Sequence, residues 1–437
     1  MKLRISFFLV AMFGIFTMAL AETTLTETTE QLAEVKGQVE GMNETMLEMK
    51  TTLDALAKIK ISGYIQSQYQ VSDGDGIGSY AGGNFPAGVH QRFAVRRGRF
   101  KINYDNKLTQ YVVQLDVTQG GVGIKDAYLS IREPWTKNFE LKAGGFDRPF
   151  GFEISYSSSS RETPERSRMF QVLFPGERDI GAQIAYSSES GPLSFLNAKL
   201  GVFNGMGVTA NENDNNKDLI GRVGVMFPFI EKNMQLDGGV SFYMGKVRNN
   251  SKFVYELSDK KFKVDSTGTN AMQYHDRTYI GIDAQYYADL PVLGGMSARL
   301  EYISGDQPST SSSNGFYNGT TANTPLYKRK VSGYYFNYVQ NIGLKNQFVL
   351  KYDDFDPNTE VEGSDIGASG AGLTAADIQY STLGLGWIYH WDGNVKFVFY
   401  YDMVTNETVN SAASGSLAAY TEDVKDNVFT IRLQYKF

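Results

Sequence analysis

Cysteine is absent from the 437 residues, so disulfides, thiolate metal sites and a cysteine nucleophile are excluded, although an oxidising compartment is not. Histidine is scarce: His90, His275 and His390 are too few and too scattered for a histidine metal centre. None of them sits in a readable serine and acid motif, and no phosphate-cradling GxxxxGK loop occurs, so an enzyme is not expected. No cofactor, metal or nucleic-acid partner is expected either. Beyond the first 21 residues no apolar run approaches the roughly 18 residues of a membrane helix. What the chain has in excess is glycine and aromatics, with 45 Gly, 28 Phe, 27 Tyr and 3 Trp. Its mean hydropathy is nevertheless negative, at −0.31. Short strands with one apolar and one wet face use that mixture, whereas helical or doubly wound soluble proteins have little use for it.

Residues 1–21 read as a secretory signal peptide. Lys2 and Arg4 precede an apolar run from Ile5 to Leu20, and Ala19-Leu20-Ala21 forms a small-residue cleavage site. Removing Lys2 and Arg4 takes the net charge from −6 to −8.

Over residues 22–58 apolar residues recur with a period of seven. Leu25, Leu32, Val39, Met46 and Leu53 alternate with Val35, Met42, Met49 and Leu56, broken only by Thr28. Glu30, Glu34, Glu40, Glu44, Glu48, Lys36 and Lys50 supply a solvated face. The pattern predicts a coiled coil, and its two-position stripe is narrower than that of a helix packed on a globular domain. Gly37 and Gly41 each cost about 1 kcal/mol relative to Ala, so the helix needs partners. A periplasmic, self-associating stalk is expected, with cell-wall contact as a further role.

From Ile61 to Phe437 the period changes to two. In the last segment Phe429, Ile431, Leu433, Tyr435 and Phe437 alternate with Thr430, Arg432, Gln434 and Lys436. Similar segments begin near residues 61, 93, 109, 124, 139, 180, 196, 219, 236, 278, 296, 331, 347, 378, 395 and 428. A length of about ten residues suits a tilted strand crossing a bilayer. Aromatics such as Tyr286, Tyr287, Tyr334, Trp387, Tyr389, Trp391, Tyr400 and Tyr401 crowd the segment ends, as in interfacial girdles. Long polar connections (Arg248 to His275, Gly305 to Lys328, Pro357 to Asp377, Asn406 to Asp426) alternate with short ones. The fold class expected is all-β: an antiparallel transmembrane β-barrel of about 16 strands, with 18 as the alternative, in outer-membrane lipid. Its inward residues read as charged and hydroxylic, so a water-filled interior is expected. Phe437 reads as a C-terminal signal for barrel-insertion machinery.

Five motifs in order then narrow the class: RRGRF (Arg96 to Phe100), GVGIKDAYLS (Gly121 to Ser130), GGFDRPFGFE (Gly144 to Glu153), PERS (Pro164 to Ser167) and FPGERDIGAQ (Phe174 to Gln183). On these the stretch Arg92 to Gln183 resembles the phosphate-selective porin O and P family. The resemblance implies a homotrimeric outer-membrane diffusion channel, general or anion-selective, whose third loop, residues 155–174, folds into the lumen and narrows it. Small anions such as phosphate are the implied solutes, and several family members carry an N-terminal coiled coil.

Within that frame Arg161, Arg166 and Arg168 are candidates for the constriction, stiffened by Pro164. On the neighbouring strand, alternation with Phe100, Ile102 and Tyr104 toward lipid turns Arg97, Arg99 and Lys101 into the pore, a ladder of about 13 Å. A plainer alternative is that these cations balance carboxylates such as Asp116 and Asp126 on adjacent strands. Between Arg92 and Arg178 there are 15 Lys and Arg against 10 Asp and Glu, and 15 against 12 from Phe85 to Ser190, in an otherwise acidic chain. Guanidinium groups bind phosphate in pairs and bias pores toward anions, but Glu153, Glu162, Glu165 and Glu177 lie on or beside the same loop. Asp73-Gly74-Asp75-Gly76 and Asn211 to Asn216 read as turns rather than calcium sites. A structural or adhesive barrel anchored by its stalk is the alternative function.

Overall fold

The computed structural model describes residues 3–437 apart from 79, 82 and 318–323, with side chains described from residue 27 onward. The chain divides into two units, at Lys60 and Ile61.

The first unit is one helix, α1 (Leu3–Leu56). Its residues 3–21 cover the signal segment, whose side chains, with that of Leu25, lie outside those described. Among the described residues no helix is long and apolar enough to cross a membrane. Leu32, Val35, Val39, Met42, Met46, Met49, Leu53 and Leu56, the described positions of the heptad stripe, are all exposed.

Among the described residues, from the junction onward, there are eighteen strands: β1 (Ile59–Ser72), β2 (Gln91–Asn106), β3 (Thr109–Thr118), β4 (Gly121–Arg132), β5 (Phe139–Asp147), β6 (Arg178–Ser187), β7 (Leu196–Phe203), β8 (Asp218–Phe229), β9 (Met234–Arg248), β10 (Val254–Ser258), β11 (Lys261–Asp265), β12 (Tyr274–Leu290), β13 (Gly294–Ser309), β14 (Leu326–Ile342), β15 (Asn346–Asp356), β16 (Tyr380–His390), β17 (Val395–Asn406) and β18 (Val428–Lys436). Sixteen close into an antiparallel ring. β9 pairs with β12 and β18 with β1, leaving no open edge in the ring. The seam closes on the last residue, where Gly63 and Phe437 exchange both backbone hydrogen bonds at 3.0 Å. Each predicted segment falls on one ring strand. The two extra strands, β10 and β11, form a hairpin inside the long 249–273 connection and pair with the ring at Val254↔Leu326 and Tyr255↔Tyr327 of β14. The count of 18 therefore belongs to the sheet and 16 to the barrel.

Alternation decides which face each residue takes. Phe429, Leu433 and Tyr435 of β18 are exposed on the outer face, while Thr430, Arg432 and Gln434 are buried. On β2 and β3, Phe100, Ile102, Tyr111, Val113 and Val117 likewise point outward. The short turns other than 119–120 share one end of the barrel with both ends of its chain; the 119–120 turn and the long loops 73–90, 148–177, 204–217, 249–273, 310–325, 357–379 and 407–427 share the other.

The interior departs from the wet lumen expected. Inward-facing Tyr243, Tyr279, Ile303, Val331, Tyr335 and Phe355 form a buried cluster with Phe150, Met169, Phe170 and Phe174. The cause is a short helix in the 148–177 loop, α2 (Arg168–Leu173), whose apolar side chains need an apolar wall. Not every aromatic builds a girdle, therefore. Tyr400 is another inward ring, and an added Cβ at Gly384 or Gly386 would collide with it, so the paired glycines of β16 admit its flat approach. At the loop end, Phe262 of the hairpin packs with Val361, Ile366, Leu373 and Ile378 of the 357–379 loop and Val409 of the 407–427 loop. Arg329 of β14 and Asp377 form a fully buried ion pair, 2.7 Å apart, beneath this cluster.

Candidate functional site

The 148–177 loop spans the inside of the ring, because its contacts fall on opposite walls. Glu301 of β13 accepts from the backbone N–H of Phe152 (2.8 Å) and Glu153 (2.6 Å), and Ser241 of β9 accepts from Gly151 (2.9 Å). On the other wall Gln66 of β1 and Gln434 of β18 donate to the carbonyls of Ser158 and Ser159, each at 2.9 Å. Gly151 adopts φ +62°, where a side chain would be strained and would also strike Glu301. The loop is thus tied down by backbone hydrogen bonds to buried wall residues.

Where it meets β2 and β18, one carboxylate holds three guanidinium groups. Glu165 takes a bidentate pair from Arg96 (2.8 Å on both oxygens), a bond from Arg97 (2.7 Å) and another from Arg432 (3.0 Å). Burial alone would raise the Glu165 pKa, but Arg96, Arg97 and Arg432 more than reverse this and hold it well below the usual carboxylate range. Nearby Arg161 donates to the carbonyls of Thr163 (3.3 Å) and Pro164 (3.1 Å). Among the described residues it forms no ion pair, and its Nη1 is buried without a hydrogen-bond partner. Burial, with Arg166 and Arg97, pushes its pKa down to about 9, which leaves it cationic at neutral pH. The junction therefore carries excess positive charge in a desolvated setting, where a charge acts more strongly than in water.

The other sequence candidates have separate partners. Arg99 pairs with Asp116 on β3 at 2.9 Å, the charge balance that the plainer alternative anticipates. Lys101 is partly exposed on the inner face and, among the described residues, forms no ion pair. Arg166 staples the loop to itself through the carbonyls of Glu153 (2.9 Å), Ile154 (3.2 Å) and Tyr156 (3.1 Å), and pairs with Glu177. Glu177 also holds Lys125 and, at 3.0 Å, Arg178; burial opposes its charge, but these cations keep its pKa well below the usual range. Arg168 lies 3.8 Å from the Tyr380 ring centroid and 4.9 Å from that of Tyr80, making cation–π contacts with both. The six candidates thus divide: Arg97 and Arg161 join one cationic junction, Arg166 and Arg168 fasten the loop, and Arg99 and Lys101 continue down the wall.

Several partners escaped the sequence. Strand alternation turns Arg96 outward, yet β2 continues beyond the end of β3 there, and the long side chain reaches Glu165 past the low wall. Arg432 was visible on the polar face of the last strand, but its partner lies 267 positions away. Loop carboxylates have further wall cations: Lys351 on Glu153 at 3.0 Å and Arg299 on Glu162 at 2.8 and 3.1 Å. Below the loop, Lys199 of β7 lies directly across from Arg222 of β8. Arg222 is paired with Asp283 at 2.6 Å, while Lys199 forms no ion pair among the described residues.

A sequence profile described as "Phosphate-selective porin O and P" matches residues 90–437. Among curated proteins no relative matches. Solved structures share the barrel architecture at low identity. The outer membrane channel DcaP of Acinetobacter baumannii has a TM-score of 0.53 at 14% identity, covering 87% of this chain and 97% of that one. An anion-selective porin from Comamonas acidovorans gives 0.51 at 11%, covering 87% and 99%. The trimer form of OmpT, an outer membrane protein of Vibrio cholerae, gives 0.50 at 10%, also covering 87% and 99%.

Proposed function

The chain belongs to the phosphate-selective porin O and P family and is an outer-membrane channel rather than an enzyme; from that premise we propose that it passes small polar solutes passively, with a preference for anions such as phosphate. The observation that carries the preference is the junction at Glu165, where Arg96, Arg97 and Arg432 outnumber the carboxylate they share. Arg161 adds a cation with no ion pair among the described residues. Fixed guanidinium groups around a narrow passage lower the barrier for anions and raise it for cations. Lys199 and Arg222, opposite one another below the loop, extend that field toward the short-turn end.

Residues 1–21 direct export and are removed, and the short-turn end faces the periplasm. Three copies assemble, consistent with the trimer form of the OmpT structure, and the exposed heptad stripe of α1 supports a coiled coil between them. Outer-leaflet and inner-leaflet lipid surround the exposed apolar face, Phe437 engages insertion machinery, and the stalk reaches toward the cell wall.

Planar-bilayer recording of the purified full chain in a KCl gradient tests the proposal. A reversal potential on the chloride side, with chloride current reduced by added phosphate, supports it. A cation-sided potential overturns it. The structural or adhesive alternative draws support from the apolar cluster in the lumen; it requires that no channels appear at all.

A further inference from the structure

Below the loop that crosses the lumen, at the short-turn end, lies a compartment of about 540 Å³, within the size range of small-molecule sites, about 300–1,000 Å³. Strand register fixes the pattern on one side of it. Tyr287 of β12 stands directly between Gln235 of β9 and Ser297 of β13. One step nearer the loop on the same inward face, Gln285 stands directly between Asp237 and Arg299. One step nearer the mouth lies Asp289. The patch is therefore three strands wide and three inward positions tall, about 10 Å by about 13 Å, with a partly exposed tyrosine ring at its centre.

Its fixed charges do not favour an anion. Asp237 and Asp289 form no ion pair among the described residues, whereas the guanidinium fork of Arg299 is taken by Glu162 of the crossing loop, at 2.8 and 3.1 Å. What the patch offers instead is hydrogen-bonding capacity of both kinds. Gln235 donates its amide N–H to Asp237 (2.9 and 2.8 Å) and Gln285 donates to Asp283 (2.8 Å). Both amide oxygens, the Ser297 hydroxyl and the Asp289 carboxylate are left without a side-chain hydrogen bond among the described residues. On the donor side, Arg299 is 6% exposed and its Nε has no hydrogen-bond partner. Its guanidinium stands 5.9 Å from the Tyr287 ring centroid, so the donor and the ring border the same space.

An ammonium group offers donors alone and cannot answer the Nε of Arg299; a carboxylate offers acceptors alone and meets Asp237 and Asp289. Hydroxyls both donate and accept. A neutral sugar can donate to Asp289 and the amide oxygens, accept from Ser297 and Arg299, and lay its C–H face along Tyr287, whose ring is apolar in body and polar at its tip. We propose that this patch is a binding subsite for neutral sugars, on the short-turn side of the constriction, and that the channel carries them besides anions. The assignment rests on the channel reading above but not on its anion preference.

The test is block of chloride current through the full-length protein in planar bilayers, with glucose added on the short-turn side. Glucosamine, glucuronate and a polyethylene glycol of similar mass serve as comparisons. Glucose should reach half-block at a concentration ~10-fold or more below the glycol, equivalent to about 1.4 kcal/mol in affinity, and no higher than that of glucosamine or glucuronate. Tyr287→Leu and Gln235→Leu should each raise the half-blocking concentration by ~10-fold, the second serving should the first fail to insert. Equal block by the glycol reduces the patch to open lumen and overturns the proposal. Stronger block by glucosamine marks a cation site and stronger block by glucuronate an anion site; either overturns it. Block unchanged in both variants does so too. Absence of any channel marks failure of the channel reading, and a cation-sided reversal potential marks failure of the anion preference alone, so these failures are distinguishable.

Discussion

Arg432 and Glu165 stand 267 positions apart in the chain and 3.0 Å apart in space, joining the strand that closes the barrel to the loop that crosses it. Glu165 thereby ties together β2, β18 and the loop, and its single charge is shared among three guanidinium groups.

Glu165→Gln should strengthen anion selectivity while weakening the fold. The substitution removes the one carboxylate on that junction and leaves its cations unopposed, so the reversal potential in a KCl gradient should move further toward chloride. Breaking a buried ion pair costs about 3–5 kcal/mol, and a drop of that order should appear as a lower melting temperature in detergent. An unchanged reversal potential would place the junction outside the conducting path.

The contribution of Glu165 and Glu177 to selectivity and stability should be constant from pH 7 down to about pH 4.5. Glu165 and Glu177 have folded pKa values well below their ordinary range, set against burial by the surrounding cations. Such a depressed pKa contributes stability that is fully present above the unfolded value, about 4.3, and is lost as pH falls through the folded value. The melting-temperature difference between the parent and Glu165→Gln should therefore shrink only below about pH 4. A difference that shrinks at pH 5–6 would contradict this assignment.

The buried pair of Arg329 and Asp377 should hold the 357–379 loop in place. Asp377 also accepts from Asn358 at 2.9 Å, so its charge organises both ends of that loop. Asp377→Asn leaves a buried guanidinium unopposed, with a local cost of about 3–5 kcal/mol. Limited proteolysis of the folded protein should cut within 357–379 at least tenfold faster than in the parent, while the barrel remains intact.

At β16, Gly384→Ala should destabilise by about 1–3 kcal/mol because the new methyl overlaps the Tyr400 ring. Pairing it with Tyr400→Ala should recover part of that loss, which a double-mutant cycle in denaturant measures as coupling. Additive losses would show that the glycine serves some other purpose.

For the helix, Val39→Asp with Met46→Asp should abolish association of an α1 peptide spanning residues 22–58 and reduce crosslinked trimer in the full chain. Both residues lie on the exposed heptad stripe. Loss of crosslinking in the peptide alone would indicate that the barrel carries assembly without the stalk.

Periodicity made the wall legible. Outward Phe429, Leu433 and Tyr435 and inward Thr430, Arg432 and Gln434 follow from a two-residue repeat that every strand obeys in isolation. The junction was legible only in part, because Arg97 and Arg161 show their charge in sequence but not their partners. Arg96 misled alternation, since a long side chain at the top of a low wall can turn inward. The apolar cluster is not legible in sequence for a related reason: only the packing of α2 against Tyr243, Tyr279 and Tyr335 makes these strand aromatics part of a core.

The sequence by itself determined that strands with one apolar face surround an interior, that an apolar heptad precedes them, and that a basic loop of this family lies among them. Those features are local repeats and motifs, written in neighbouring residues. Only the tertiary structure decided which cations are neutralised, which remain in excess at Glu165, and which space stays open below the loop. Each of those depends on groups brought together from distant strands, and closure of the ring is what makes them neighbours.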